Sequence, residues 1–429
     1  DNNDNNNNNN NNNTTVFLPA ALTSNNTTIV IRRRIAYTIS ITSTTCDDDG
    51  VLDGAAVLAE SIRSISNSSN DFDLVAIVRQ ELVDATTMNH DCLATLTRLG
   101  YIVQPKELPF QLHDLRSATT ISEGSGCCGI YEYLKLYAFQ MIIMTTTATD
   151  EHDDDHHTQY YYDIVVHLDA DVLLLQPLDD LFRALRGGST NSTIPTIPPH
   201  QRITQETEFI FVREYAQHNP TYPSDRTKNG IQGAFFVVNQ NSNPQHANPN
   251  HRFQDLIQHL KETQYYPGNR GWNGDYYGGY YGAATIQGFF SYYYAAIIRN
   301  KAVELDHCVY NTLGFDLRYL GFDNVNSNNK NKNARPNTTL KTCRTGETTC
   351  ANCAATPLDQ IHVGHLSLCY KPWWCRMNLL TLPTPVCEYM FGKWFQWRRQ
   401  VDIRLAFDVP PILGIRPLFD KVTLGYCQR

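Results

Sequence analysis

Apolar residues first fall into regular runs just after Arg32. Residues 35–41 (IAYTISI) read as a strand, and the polar TSTTCDDDG behind them reads as a turn. Beyond it, Val51, Ala55, Leu58, Ile62 and Ile65 lie on one helical face, the pattern of a helix packed on a sheet. Residues 74–78 (LVAIV) form a short continuous apolar run, as expected of a strand buried on both faces. A polar helix over 91–99 leads through Gly100 into another strand, YIVQP. Residues 135–144 (KLYAFQMIIM) predict a mostly apolar helix, and 164–168 the next buried strand. This alternation predicts an α/β fold with a mixed, mostly parallel sheet flanked by helices.

Polar inserts interrupt the pattern. Residues 145–159 (TTTATDEHDDDHHTQ) are rich in Asp and His, and His152, His156 and His157 are close enough for a metal site. Low-complexity polar repeats between structured segments read better as a solvated insertion. Similar inserts occupy 187–208, 241–251 and 323–340. The first thirteen residues are eleven Asn and two Asp, a tract that cannot bury a core. The expected organisation is therefore a disordered Asn-rich tether over 1–31, one catalytic core over 32–320, a polar insertion over 321–356 and a cysteine-rich C-terminal extension over 357–429.

Charge and cysteine content narrow the setting. The 429 residues carry 35 basic and 43 acidic side chains, a net charge of −8, and the one basic run is Arg32–Arg34. Phosphate backbones need concentrated positive charge, so a nucleic-acid partner is not expected. No stretch approaches the roughly 18 to 20 apolar residues of a spanning helix. Twelve cysteines, half of them between Cys343 and Cys387, are many for a reducing compartment. Acceptor sequons at Asn12, Asn13, Asn25, Asn26, Asn67, Asn191 and Asn337 all lie in polar, loop-like segments. Together these favour the secretory lumen, and disulfides over zinc for the cysteines. The chain opens on Asp and shows no signal peptide, so any membrane attachment is expected through an anchor outside this sequence.

The most informative segment is residues 161–182, YYDIVVHLDADVLLLQPLDDLF. An apolar strand runs into Asp169-Ala170-Asp171. Strand side chains alternate, so the two carboxylates are expected on one side, as a site for a hard cation. The C-terminal end of such a strand is also where α/β sheets bind ligands. Two chemistries fit. Haloacid-dehalogenase-like phosphatases begin with strand-D-x-D-V and use the first Asp as nucleophile. GT-A glycosyltransferases use the D-x-D pair to hold a metal against a nucleotide-sugar diphosphate.

The neighbouring sequence separates them. The KLYAF segment before the motif and QPLDDLF after it resemble glycosyltransferase family 8, the glycogenin-like group. The resemblance extends over most of 35–375 and takes in DFDLVAIVRQELVD, GIQGAFFVVNQ, TIQGFFSYYY and HLSLCYKPW, the last similar to the family's H-x5-K-P-W. It implies a GT-A, Rossmann-like fold and a retaining transferase for a hexosyl or related sugar. The donor would be a UDP-sugar and the acceptor a glycan, glycoprotein or glycolipid. Asp169, Asp171 and His365 would hold Mn2+, with Mg2+ as the substitute, while Lys371 grips the diphosphate, Gln287 faces the sugar and Lys135 sits near the donor. Gln232-Gly233 stands where the family has Asn-x-Gly, and Asp49 is available for the base. A Golgi setting, as a type II membrane protein in full length, follows from the same resemblance.

Departures from the family pattern bear on mechanism. Val51 replaces the usual Tyr three residues before Gly54-Ala55, Ile286 the Asp of Asp-Gln-Gly, and Ala283 a further sugar-binding Asp. With no carboxylate at 286, a same-face attack by the acceptor hydroxyl fits better than double displacement. Asp275, in the insert GWNGDYYGGYYG, is a candidate for a replacement sugar contact. A third reading is a nucleotide-sugar or carbohydrate-binding protein in which these losses have silenced catalysis.

Overall fold

The computed structural model describes residues 34–42, 50–66, 72–84, 88–118, 121, 129–140, 142–146, 157–189, 194–197, 201–213, 226–242, 250–280, 282–314, 352–369, 371–374 and 384–406. The expected tether, Asp49, His152, His156, Cys343, Cys350 and Cys375 lie outside them.

Strands β1 (Arg34–Ile41), β2 (Phe72–Arg79), β3 (Tyr101–Lys106), β4 (Ile142–Thr146), β5 (His157–Leu168), β6 (Val172–Leu174), β7 (Thr196–Ile197), β8 (Phe209–Arg213), β9 (Ile231–Asn239), β10 (Tyr265–Tyr266), β11 (Gly271–Trp272), β12 (Ala302–Leu305), β13 (Tyr310–Thr312) and β14 (Val363–His365) follow one another along the chain. The main sheet has the order β3-β2-β1-β5-β9-β8-β12-β7, with β4 paired to β5. β3, β2, β1 and β5 are mutually parallel, and β9 runs antiparallel between β5 and β8. The result is the expected mixed α/β sheet flanked by helices.

Alternation along the strands builds two cores. On β1, Ile35, Tyr37, Ile39 and Ile41 face one side with the helix Val51–Ile65, while Ala36 faces the other with residues of the 129–140 segment. Burial on both faces is why these strands read as unbroken apolar runs. The chain runs from β1 outward to β2 and β3, then returns to place β5 on the opposite side of β1. That reversal opens a crevice at the carboxyl ends of β1 and β5, and the D-x-D motif follows β5 there.

Two local expectations are corrected. Residues 135–144 do not form one α-helix: a 3-10 helix spans Gly129–Gln140 and then gives way to β4. The run IIMTT is rich in β-branched residues and pairs with β5, Ile142 opposite Tyr161 and Thr146 opposite His157. The two ends of the Asp/His-rich stretch are thus extended and paired rather than looped, and residues 147–156 lie outside the described ones.

Within the C-terminal extension, the helix Pro385–Ala406 packs along Val51–Ile65. Buried Arg398 donates through Nε to Asp53 Oδ1 at 3.1 Å and locks the two helices together. Trp373, Trp394 and Trp397 are buried packing residues, with the rings of Trp373 and Trp394 6.1 Å apart. Disulfides join Cys308 to Cys353 and Cys369 to Cys387.

Candidate functional site

β5 ends at Leu168, and the backbone then bends out of the sheet. The Asp169 N–H donates to Ala234 O at 2.9 Å, and the Val172 N–H donates back to Asp169 O at 3.0 Å. Asp169-Ala170-Asp171 is therefore a turn, and the strict alternation expected of a strand does not set its side chains. Each carboxylate meets one lysine ammonium and one imidazole. The turn is also held closely: a Cβ on Gly54 would lie 2.4 Å from Ala170 O, so only glycine lets the Val51–Ile65 helix approach it.

Asp169 anchors the first half of the site. Lys135 Nζ lies 2.9 Å from Asp169 Oδ1 and 2.7 Å from Glu132 Oε2, and donates to Gly233 O at 3.2 Å. His167, two residues earlier on β5, points Nε2 at the same carboxylate at 3.4 Å. Its Nδ1 is 3.1 Å from Thr38 Oγ1, and its ring stacks on Phe236. A Cβ on Gly233 would sit 3.2 Å from Gln287 Cγ and 3.4 Å from Lys135 Nζ, so both side chains close over that bare stretch of main chain. Gln232 is buried, and its Oε1 accepts the Ala234 N–H at 3.1 Å, bracing the start of β9.

Asp171 anchors the second half. β6 leaves the main sheet to pair antiparallel with β14, in a register that sets Val172 opposite His365. The Leu366 N–H donates to Asp171 O at 2.9 Å. This register brings residues far apart in sequence onto one carboxylate: His365 Nε2 is 3.4 Å from Asp171 Oδ1, Lys371 Nζ 3.1 Å from Oδ2, and the Ser367 hydroxyl donates to Oδ2 at 3.3 Å.

Burial alone would push both aspartate carboxyls up, but their cations prevail. Lys135, then His167, hold Asp169 below the usual carboxylate range, and His365 and Lys371 hold Asp171 far below it. Burial would likewise drive the Lys135 ammonium down, yet Asp169 and Glu132 keep it well above its ordinary value. His167 goes the other way, lowered by burial against the pull of Asp169, so its imidazole is neutral near pH 7. Three carboxylates thus face two ammonium groups and the His365 imidazole across the turn.

Carboxylate oxygens with one imidazole nitrogen are the donor types that suit manganese or magnesium. Metal–ligand bonds of about 2.1 Å place neighbouring ligand atoms roughly 3.0 to 3.5 Å apart. Asp171 and His365 meet that spacing at 3.4 Å. Asp169 is turned to Lys135 and His167 instead.

All but one of the described candidates from the sequence gather at this crevice. Asp169, Lys135, Gly233 and Gln287 lie on one side, and Asp171, His365 and Lys371 on the other, with Gln232 behind the strand. Asp275 is held elsewhere: its carboxylate accepts from Asn273 and its carbonyl from Lys228. Sequence reading missed Glu132, His167 and Ser367. Each stands two or three positions from a residue that was found; Glu132 and Lys135 share one face of the 3-10 helix, while His167 and Ser367 reach their partners through the turns that end β5 and β14.

The sequence matches no protein-family model, and a search of curated proteins returns no match. Among solved structures, mouse xyloside xylosyltransferase 1 is similar with a TM-score of 0.39 at 11% identity, covering 77% of this chain and 96% of that one. The bifunctional glycosyltransferase WbbM aligns with a TM-score of 0.39 at 13% identity over 87% of this chain, which spans 52% of WbbM. The glycosyltransferase GlyE of Streptococcus pneumoniae TIGR4 aligns with a TM-score of 0.38 at 11% identity over 88% of this chain and 63% of its own.

Proposed function

We propose that this chain is a metal-dependent, retaining glycosyltransferase that moves a hexosyl or related sugar from a UDP-sugar to a glycan, glycoprotein or glycolipid. The observation that carries the reading is the convergence of His365 and Lys371 on Asp171, 3.4 and 3.1 Å away, beside the Lys135–Asp169 pair at the end of β5. A carboxylate that gathers an imidazole and an ammonium at the mouth of an α/β sheet suits a diphosphate better than a neutral ligand.

The residues divide the work. Asp169, Asp171 and His365 would hold Mn2+, which when bound neutralises charge on the diphosphate. Lys371 would pair with a phosphate oxygen as the bond to the anomeric carbon breaks and negative charge gathers there. Gln287 offers an amide to the sugar next to the bare backbone of Gly233. Lys135 fixes the Asp169 carboxylate in its ionised form, with Glu132 as its second partner. Buried Ile286 and Ala283 provide no nucleophile, which supports same-face attack by the acceptor hydroxyl beside the leaving diphosphate. The sequons and the disulfides Cys308–Cys353 and Cys369–Cys387 support a secretory-lumen setting such as the Golgi.

Calorimetric titration of UDP into the protein tests this, with and without Mn2+. Affinity should rise with the metal in the wild type and lose that dependence in His365→Ala. Binding indifferent to Mn2+ in the wild type would overturn the reading, and release of phosphate from a simple ester would restore the phosphatase.

A further inference from the structure

One buried cluster has no part in the crevice. His307, Cys308 and Cys353 lie where the turn ahead of β13 meets the chain leading to β14. Their possible ligand atoms all fall within 4.8 Å of one another, the one such trio of His, Cys, Asp or Glu among the described residues. The two sulfurs are joined as a disulfide. His307 Nε2 is 3.1 Å from Cys353 Sγ and 3.4 Å from Cys308 Sγ, so a single ring nitrogen addresses both. A disulfide sulfur is a poor acceptor and a poor metal ligand, whereas a thiolate is a good one. Asp306 borders the cluster: its Oδ1 accepts the Cys308 N–H at 2.8 Å and lies 3.8 Å from His307 Nδ1, beyond hydrogen-bond reach.

We propose that His307, Cys308 and Cys353 form a second metal centre that takes zinc when the disulfide is reduced. Two thiolates and an imidazole are the soft and borderline donors that zinc selects, with a fourth position for water. The chemistry balances with a phosphine as reductant. The S–S bond accepts two electrons, the phosphine becomes its oxide using one water, and two thiols result. Zinc then displaces two protons as both sulfurs bind it. The covalent link between the β13 and β14 segments is replaced by a metal clip through the same sulfurs. The segment that delivers His365 stays tethered in either redox state.

The test uses the full chain, folded with its disulfides and then reduced with a water-soluble phosphine. After incubation with zinc chloride and gel filtration, metal content and free thiols are counted. Reduced wild type should retain one equivalent of zinc more than reduced Cys308→Ser/Cys353→Ser, which corrects for the other cysteines. The oxidised protein should lack that equivalent. With cobalt(II) in place of zinc, reduced wild type should show a thiolate charge-transfer band that weakens or shifts in His307→Asn. This second variant keeps the disulfide during folding, so it decides the matter even if the serine variant fails to fold. Equal zinc in reduced and oxidised wild type, or a cobalt spectrum unchanged in His307→Asn, would overturn the proposal.

Discussion

Lys135→Gln isolates the electrostatic logic of the crevice. The substitution keeps a hydrogen-bonding group of similar length and removes the charge. In the wild type Nζ lies 2.7 Å from Glu132 and 2.9 Å from Asp169, with side-chain exposures of 3% for Lys135, 7% for Glu132 and 29% for Asp169. Removing one partner of a buried pair leaves an uncompensated charge and costs about 3–5 kcal/mol. Asp169 keeps its contact with His167 and some access to water, so a loss of about 3 kcal/mol at pH 7 is expected. The sign of the pH dependence follows from the shifts. Asp169 is held low in the fold, so its contribution is complete above the unfolded value of about 3.9 and fades as pH falls through the folded one. Lys135 is held high, so its contribution is complete below about 10.4 and fades as pH rises beyond it. Without Lys135, burial dominates Asp169 and favours its protonated form. Acid should then relieve the variant, and its deficit should narrow below about pH 4. Urea unfolding followed by tryptophan fluorescence at pH 7 and pH 3.5 measures both quantities. The double variant Glu132→Gln/Lys135→Gln should lose less than Lys135→Gln alone, because the stranded charge goes with its partner. A deficit under about 1 kcal/mol, or one equal at the two pH values, would refute the reasoning.

Three further outcomes can be checked. Lys371→Met should weaken UDP binding about 10- to 150-fold while leaving the fold intact, since a charged hydrogen bond contributes about 1.5–3 kcal/mol; calorimetry that finds unchanged affinity would remove Lys371 from the diphosphate site. Gly54→Ala forces a methyl group to within 2.4 Å of Ala170 O and should destabilise the protein by about 1–3 kcal/mol, which an unaltered thermal midpoint would contradict. Cys387→Ser opens a link across 18 residues, and loop-closure entropy predicts a loss of about 3 kcal/mol in chemical unfolding; no loss would mean that the cross-link constrains nothing.

The doubly buried strands were legible because both their faces are apolar: LVAIV lies within β2 and 164–168 within β5. Where tertiary pairing overrode local pattern, the reading failed. Residues 135–144 carry enough Leu, Ala and Met to look helical, yet the isoleucine pair at 142–143 zips onto Tyr160 and Tyr161 instead. The polar residues 157–159 gave no strand signal because their partners lie on β4. At the site, Asp169, Asp171, His365 and Lys371 were visible as spaced motifs. Their supporting groups were not: Glu132 matters only because a 3-10 segment presents it to Lys135, and His167 only because Thr38 on a neighbouring strand fixes its ring. Ser367 gains its partner through the β6–β14 register.

The central claim is transfer chemistry at Asp171. The direct measurement is UDP release from a panel of UDP-sugars in the presence of Mn2+, comparing wild type with Asp171→Asn. Our account predicts slow, Mn2+-dependent release from at least one donor in the wild type, abolished by a chelator, and at least about 100-fold slower in the variant, as loss of a group stabilising the leaving charge implies. Release that persists without metal, or that survives Asp171→Asn unchanged, would contradict it.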